Sequence, residues 1–279
     1  MKEGYMNSIK KIIYEHRVWI FFIQTIVIGW GSWFFWGEFI IAAPLIAAIT
    51  TSFATEGVLG VKRIIVRYVR NFSLIWCLVA ILLPFILAFV SVGVYGLIGG
   101  TIPELFLLRN NPLVVLKIAA YFMIPWASSA FLEEVGFRGY VLSELQEKYS
   151  PLISTVILGI FFGAWLLPEF LNPESAQYAM GGLSYYPWFI LIELSFSVFM
   201  TWIYNKTNGN ALISGYVFHG AMNVSTLVVL TNVRQLGTGF PVFDTKLFIL
   251  SSVVTAIFAM ILIIKTKGRL GYNFEKMSH

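Results

Sequence analysis

Charge is scarce in this chain. Acidic and basic residues make up only 12% of its 279 residues, against about 25% in an ordinary soluble domain. Hydrophobic residues reach 58%, so too few polar groups remain to clothe a water-soluble globule, and a soluble enzyme is excluded. Cysteine is nearly absent. The single Cys77 rules out an intrachain disulfide and any cysteine-based zinc site, and it reads as a small apolar residue in an apolar run. With 23 Gly and 10 Pro, the composition is neither collagenous nor that of a disordered chain. The net charge of +5 would suit nucleic acid in a polar protein. In a chain this apolar it reads instead as the basic bias of loops on the cytoplasmic side of a membrane, and no nucleic-acid partner is expected.

What is abundant is long apolar sequence. A helix crossing the bilayer needs about 20 such residues. Candidate spans lie at 18–36, 39–56, 72–98, 113–131, 152–171, 186–204, 210–231 and 246–264, the second being short and holding Pro44. The expectation is an all-α, polytopic membrane helix bundle of about eight transmembrane helices. The start of the chain is polar and the first apolar run is too long for the core of a cleaved signal, so the first span is expected to be a retained anchor. Fifteen of the 19 basic residues fall on one side of this pattern: Lys2, Lys10, Lys11 and Arg17; Lys62, Arg63, Arg67 and Arg70; Arg138 and Lys148; Lys206; and Lys265, Lys267, Arg269 and Lys276. Arg109, Lys117, Arg234 and Lys246 fall on the other. This asymmetry predicts a multi-pass protein of the cell membrane with both termini cytoplasmic. The basic segment 61–71 reads either as an amphipathic helix on an anionic membrane surface or as the solvated end of the next span. Residues 172–185 are expected to form an exposed, mobile loop.

Ionisable groups in hydrocarbon are costly and mark function by default. Glu133, Glu134 and Arg138 directly follow an apolar run, Glu193 lies inside the sixth span, and His219 and Asn223 lie inside the seventh. On a helix, Glu134 and Arg138 are four apart and share a face, with the carboxylate in the favourable N-terminal position. Glu133 points about 100° away and is left free, and a free carboxyl beside a paired one suits general-base chemistry. His219 and Asn223 are also four apart on one face, placed to donate to an oxyanion or to ligate a metal. Glu193 reads as a helix-packing hydrogen bond or a substrate contact. His16 and His279, near the termini, read as solvated.

These residues resemble the motifs of the CPBP family, the CAAX prenyl endopeptidase and bacteriocin-processing (Abi-type) intramembrane proteases. Glu133-Glu134-x-x-x-Arg138 followed by Gly139-Tyr140 is similar to the first motif, and His219-Gly220-Ala221-Met222-Asn223 to the third. Phe162-Gly163-Ala164-Trp165-Leu166-Leu167-Pro168 is similar to the second, except that Leu166 stands where the family has histidine. The resemblance covers residues 113–231, between an N-terminal transmembrane region with a basic loop (1–112) and a last helix with a basic tail (232–279).

The resemblance implies hydrolysis of a peptide bond in a membrane-associated or prenylated substrate by glutamate-activated water. Glu133 would be the base, Glu134 and Arg138 would stabilise the site, and His219 and Asn223 would stabilise the tetrahedral intermediate. Leu166 has two consequences. A zinc ion would have only Glu133, His219 and Asn223, a poor set, so no metal cofactor is expected. Loss of a water-positioning group also raises the alternative of a pseudoprotease acting as a membrane binding or regulatory protein in immunity or signalling. Glu169, just past Pro168, is a further carboxyl that could stand in for the missing histidine. A transporter using the glutamates as an ion path would be expected to show paired repeats, and the span pattern has none.

Overall fold

The computed structural model of the protein describes residues 8–105, 109, 112–122, 124, 128–231 and 244–273. Lys2, Arg234, Lys276 and His279 lie outside them. The regular elements are helical, and no β-strand occurs among the described residues. In chain order they are α1 (Ser8–Glu15), α2 (Arg17–Trp36), α3 (Ala43–Glu56), α4 (Val58–Val69), α5 (Leu74–Leu97), α6 (Pro112–Phe122) and α7 (Ser129–Gly136). A π-helical turn, Phe137–Val141, joins α7 to α8 (Leu142–Gln146). There follow α9 (Pro151–Trp165), α10 (Ala176–Ala179), α11 (Tyr186–Lys206), a second π-helical stretch over Leu212–Val217, α12 (Phe218–Val229) and α13 (Thr245–Thr266).

The chain is an all-α, multi-pass membrane protein. Among the described residues, five helical segments are long and apolar enough to cross a bilayer: Arg17–Trp36, Leu74–Leu97, Tyr186–Lys206, Leu212–Val229 and Thr245–Thr266. The other three expected spans are shorter, for local reasons. Pro44 sits in the first turn of α3, and Gly57, at φ 66°, ends that helix after 14 residues. The basic segment 61–71 accordingly falls largely in a helix of its own, α4, with Gly60, Ile64 and Tyr68 buried and Ile65, Val66 and Val69 exposed. Residues 113–131 divide between α6 and α7, which are separate helices. α9 stops at Trp165, because Pro168 cannot continue an α-helix and Leu167–Phe170 tightens into a 3-10 turn. Within 172–185, Ser175 accepts a hydrogen bond from the Tyr178 amide and caps the short α10, so this segment is partly helical.

Packing centres on α11, which lies against α9 on one side and α13 on the other; α12 packs on α5, and α2 and α7 both pack on α3. Small residues permit these approaches, as between membrane helices generally. A Cβ on Gly136 would lie 2.4 Å from the Pro44 carbonyl oxygen, so α7 and α3 touch backbone to backbone. At the basic end of the bundle, Arg17 of α2 pairs with the buried Glu144 of α8 and, at 2.6 Å, with Glu147. Arg67 of α4 reaches the same carboxylate at 3.2 Å and Ser143 Oγ at 2.6 Å. Arg70 donates to the Asn208 carbonyl from both Nε and Nη2. These contacts pin α4 across the ends of the neighbouring helices.

Candidate active site

Three helices deliver the charged groups. α7 and its π-helical continuation carry Glu133, Glu134 and Arg138; α12 carries His219 and Asn223; α11 carries Glu193 and Ser197. Glu133, Glu134, Arg138 and His219 are all buried, with Glu134 fully so. Arg138 Nη1 donates to Glu134 Oε1 at 2.9 Å, and Arg138 Nη2 donates to Ser197 Oγ at 3.1 Å. His219 Nδ1 lies 3.0 Å from the same Glu134 Oε1. Glu134 is therefore held by two elements at once, and it fixes the ring of His219 as it fixes the guanidinium of Arg138.

Glu133 is placed differently. Its Oε2 is 3.9 Å from His219 Nδ1, beyond hydrogen-bond range. Glu133 Oε2, Glu134 Oε2 and Arg138 Nε are buried and have no hydrogen-bond partner among the described residues. Buried polar atoms are nearly always satisfied, by protein, water or ligand. Three such atoms in one cluster mark a place where the protein leaves bonding capacity to something else. Among the described residues, no group of three or more His, Cys, Asp or Glu side chains is placed to hold a metal ion.

Local sequence makes this convergence possible. Gly215, in the π-helical stretch before α12, faces Glu134: a Cβ there would lie 2.9 Å from Glu134 Cβ and 3.1 Å from Glu134 Oε2. α7 and α12 thus each carry a π-helical segment next to the site, a distortion frequent at functional positions. The aromatic wall comes from α9. The Phe162 ring meets His219 edge-on at 6.2 Å and packs on Phe137 at 5.2 Å. Leu166, one turn beyond Phe162, is buried at the end of α9. Glu169, on the following 3-10 turn, makes no side-chain hydrogen bond or ion pair with the cluster.

A cavity of about 310 Å³ opens beside the cluster. Glu193 and Asn223 line it, and neither makes a side-chain hydrogen bond or ion pair among the described residues. Ser197 was not legible as a site residue. Its only signal is its place four residues after Glu193, on the same face of an apolar helix. Gly215 gave none, because the approach of Glu134 is a tertiary fact.

Comparison with known proteins points the same way. Residues 115–225 match the family model described as type II CAAX prenyl endopeptidase Rce1-like. The chain is 30% identical over 115 residues to CAAX prenyl protease 2 of Methanococcus maripaludis, a match covering 40% of this chain and 42% of the relative. It is 22% identical over 267 residues to lysostaphin resistance protein A of Staphylococcus aureus, covering 90% of this chain and 57% of the relative. A third match, to lysostaphin resistance protein A of Staphylococcus haemolyticus, is 23% identical over 133 residues and covers 48% and 32%. The chain spans about half the length, or less, of the curated relatives it matches. The matched segment runs from α6 to α12 and contains every member of the buried cluster, so the likeness to the Rce1-like CAAX prenyl endopeptidases falls on the part of the chain that builds the site.

Proposed function

We propose that this protein is an intramembrane endopeptidase that cuts a peptide bond of a membrane-associated substrate with water activated by Glu133. The observation that carries the reading is the division between the two adjacent carboxyls: Glu134 is bonded to Arg138 and His219, while Glu133 Oε2 is buried with no hydrogen-bond partner among the described residues. In the reaction, Glu133 takes a proton from a water molecule as its oxygen attacks the scissile carbonyl carbon. Negative charge then develops on the carbonyl oxygen. The Asn223 side-chain amide and the ring of His219, held at Nδ1 by Glu134, stabilise that oxygen. Glu133 returns the proton to the amide nitrogen as the C–N bond breaks, releasing a carboxylic acid and an amine. Arg138 stays bonded to Glu134 and Ser197 throughout and keeps the frame charged and rigid. No metal enters this scheme, and Leu166 takes no part in proton transfer. The basic end of the bundle faces the cytoplasm.

The test is peptide release by purified protein in proteoliposomes, using fluorogenic membrane peptides, beside E133Q and L166H. Cleavage by the protein should fall by about 10²–10⁴-fold in E133Q, the usual worth of a general base, with thermal stability nearly unchanged. Cleavage that survives E133Q overturns the assignment of the base. Cleavage by L166H alone overturns the reading of this chain as an active protease.

A further inference from the structure

Glu193 is the charged residue of the site that the proposed chemistry does not use. It lies four residues before Ser197, on the same face of α11, and Ser197 accepts a hydrogen bond from Arg138. Glu193 is thereby one helical turn from the cluster and lies within electrostatic reach of Glu133, Glu134 and Arg138. Arg138 is the arginine that serves this group, and its Nη1 is already committed to Glu134. Three carboxyls thus share one guanidinium and the imidazole of His219. Glu193 lines the cavity, where it has no bonded partner among the described residues.

The walls of that cavity are aromatic and aliphatic. Phe122 comes from α6, Phe189 and Phe196 from α11, Met222 from α12 and Phe248 from α13. Ser129, Gln177 and Asn223 add neutral hydrogen-bonding groups. A pocket of this kind, mostly apolar with a few converging polar groups, is the ordinary form of a ligand site. A carboxyl set among aromatic rings suits one class of ligand in particular. A lysine or arginine side chain lays its methylenes along apolar walls and brings only its head to the carboxylate, and aromatic rings attract the same cation.

Resting on the endopeptidase reading, we propose that this cavity binds a lysine or arginine side chain of the peptide to be cut, with Glu193 as its counter-charge and specificity determinant. Asn223 lines the cavity one helical turn from His219, so the bound basic residue lies close to the scissile bond. The substrate class is therefore a membrane-associated peptide with a basic residue flanking the cut.

The experiment uses the full chain in proteoliposomes and fluorogenic membrane peptides with lysine, norleucine or glutamate at successive positions around the cut. Fluorescently labelled, non-cleavable versions report binding by anisotropy. At one position the lysine peptide should exceed the norleucine peptide by about tenfold or more in kcat/KM, each tenfold being about 1.4 kcal/mol, and E193Q should bring that ratio close to one. Cleavage without a lysine preference, or a preference that E193Q leaves intact, overturns this inference while the protease reading stands. Lysine-selective binding that E193Q abolishes, with no peptide cut, supports the pocket and overturns the protease reading. Neither cleavage nor selective binding overturns both.

Discussion

Gly215 has no side chain at the point where Glu134 comes closest to the segment that carries His219. Alanine there would set a methyl 2.9 Å from Glu134 Cβ, an atom too near the backbone to swing aside. Overpacking of this kind costs about 1–3 kcal/mol. It would also drive Glu134 from the position in which it holds both His219 and Arg138. G215A should therefore lower thermal stability and reduce peptide cleavage by about tenfold or more. Gly139 is the control: an added Cβ meets Tyr68 and Ile64 at 3.5 and 3.6 Å, ordinary contact distances, and G139A should cleave as the parent does. Equal activity in G215A and G139A would mean that the position of Glu134 does not matter to turnover. Asn223 and Glu193, by contrast, face open space, and isosteric changes there should act on function without a comparable loss of stability.

Among the elements, α2, α4 and α8 meet at one buried carboxylate. Glu144 pairs with Arg17 and with Arg67, and the Arg17 and Glu144 side chains are each only 6% exposed. Removing one partner from a buried pair strands the other charge and costs about 3–5 kcal/mol. E144Q should lower the unfolding temperature in detergent sharply. The double variant R17M/E144L should lose less than the sum of the single changes, and strict additivity would show that the pair is not coupled. This junction also marks how far the sequence could be read. Apolar run length disclosed the helical class and most of the spans, since a bilayer imposes that length. The i, i+4 spacings disclosed which groups share a face of α7 and of α12. Helix ends were harder. Pro44 and Gly57 cut one expected span short and Pro168 another, and the π-helical segments beside Arg138 and His219 leave no mark in hydropathy. The contact of Arg17 with Glu144 joins residues 127 positions apart, and no local pattern encodes such a pairing.

At the scale of the whole molecule, the two ends of the bundle differ in charge, and this sets its expected direction in the membrane. Most of the described basic residues gather at one end, where Arg17, Arg67, Arg70 and Lys148 tie helix termini together through Glu144, Glu147, the Asn208 carbonyl and the Glu15 carbonyl. Lys206, Lys267 and Arg269 lie in the loops and tail that follow. At the other end, Asp244 caps α13 and accepts a hydrogen bond from Tyr95, and Glu174 is exposed beside α10. Basic loops are retained in the cytoplasm, so the Arg269 end should lie inside the cell and the Glu174 end outside. The single native cysteine makes this simple to measure. In a C77S background, E174C should react with a membrane-impermeant maleimide in intact cells, while R269C should react only after permeabilisation. The reverse pattern would overturn the orientation. Labelling of both positions in intact cells would mean that the chain inserts in two directions, and that its charge asymmetry is too weak to fix one.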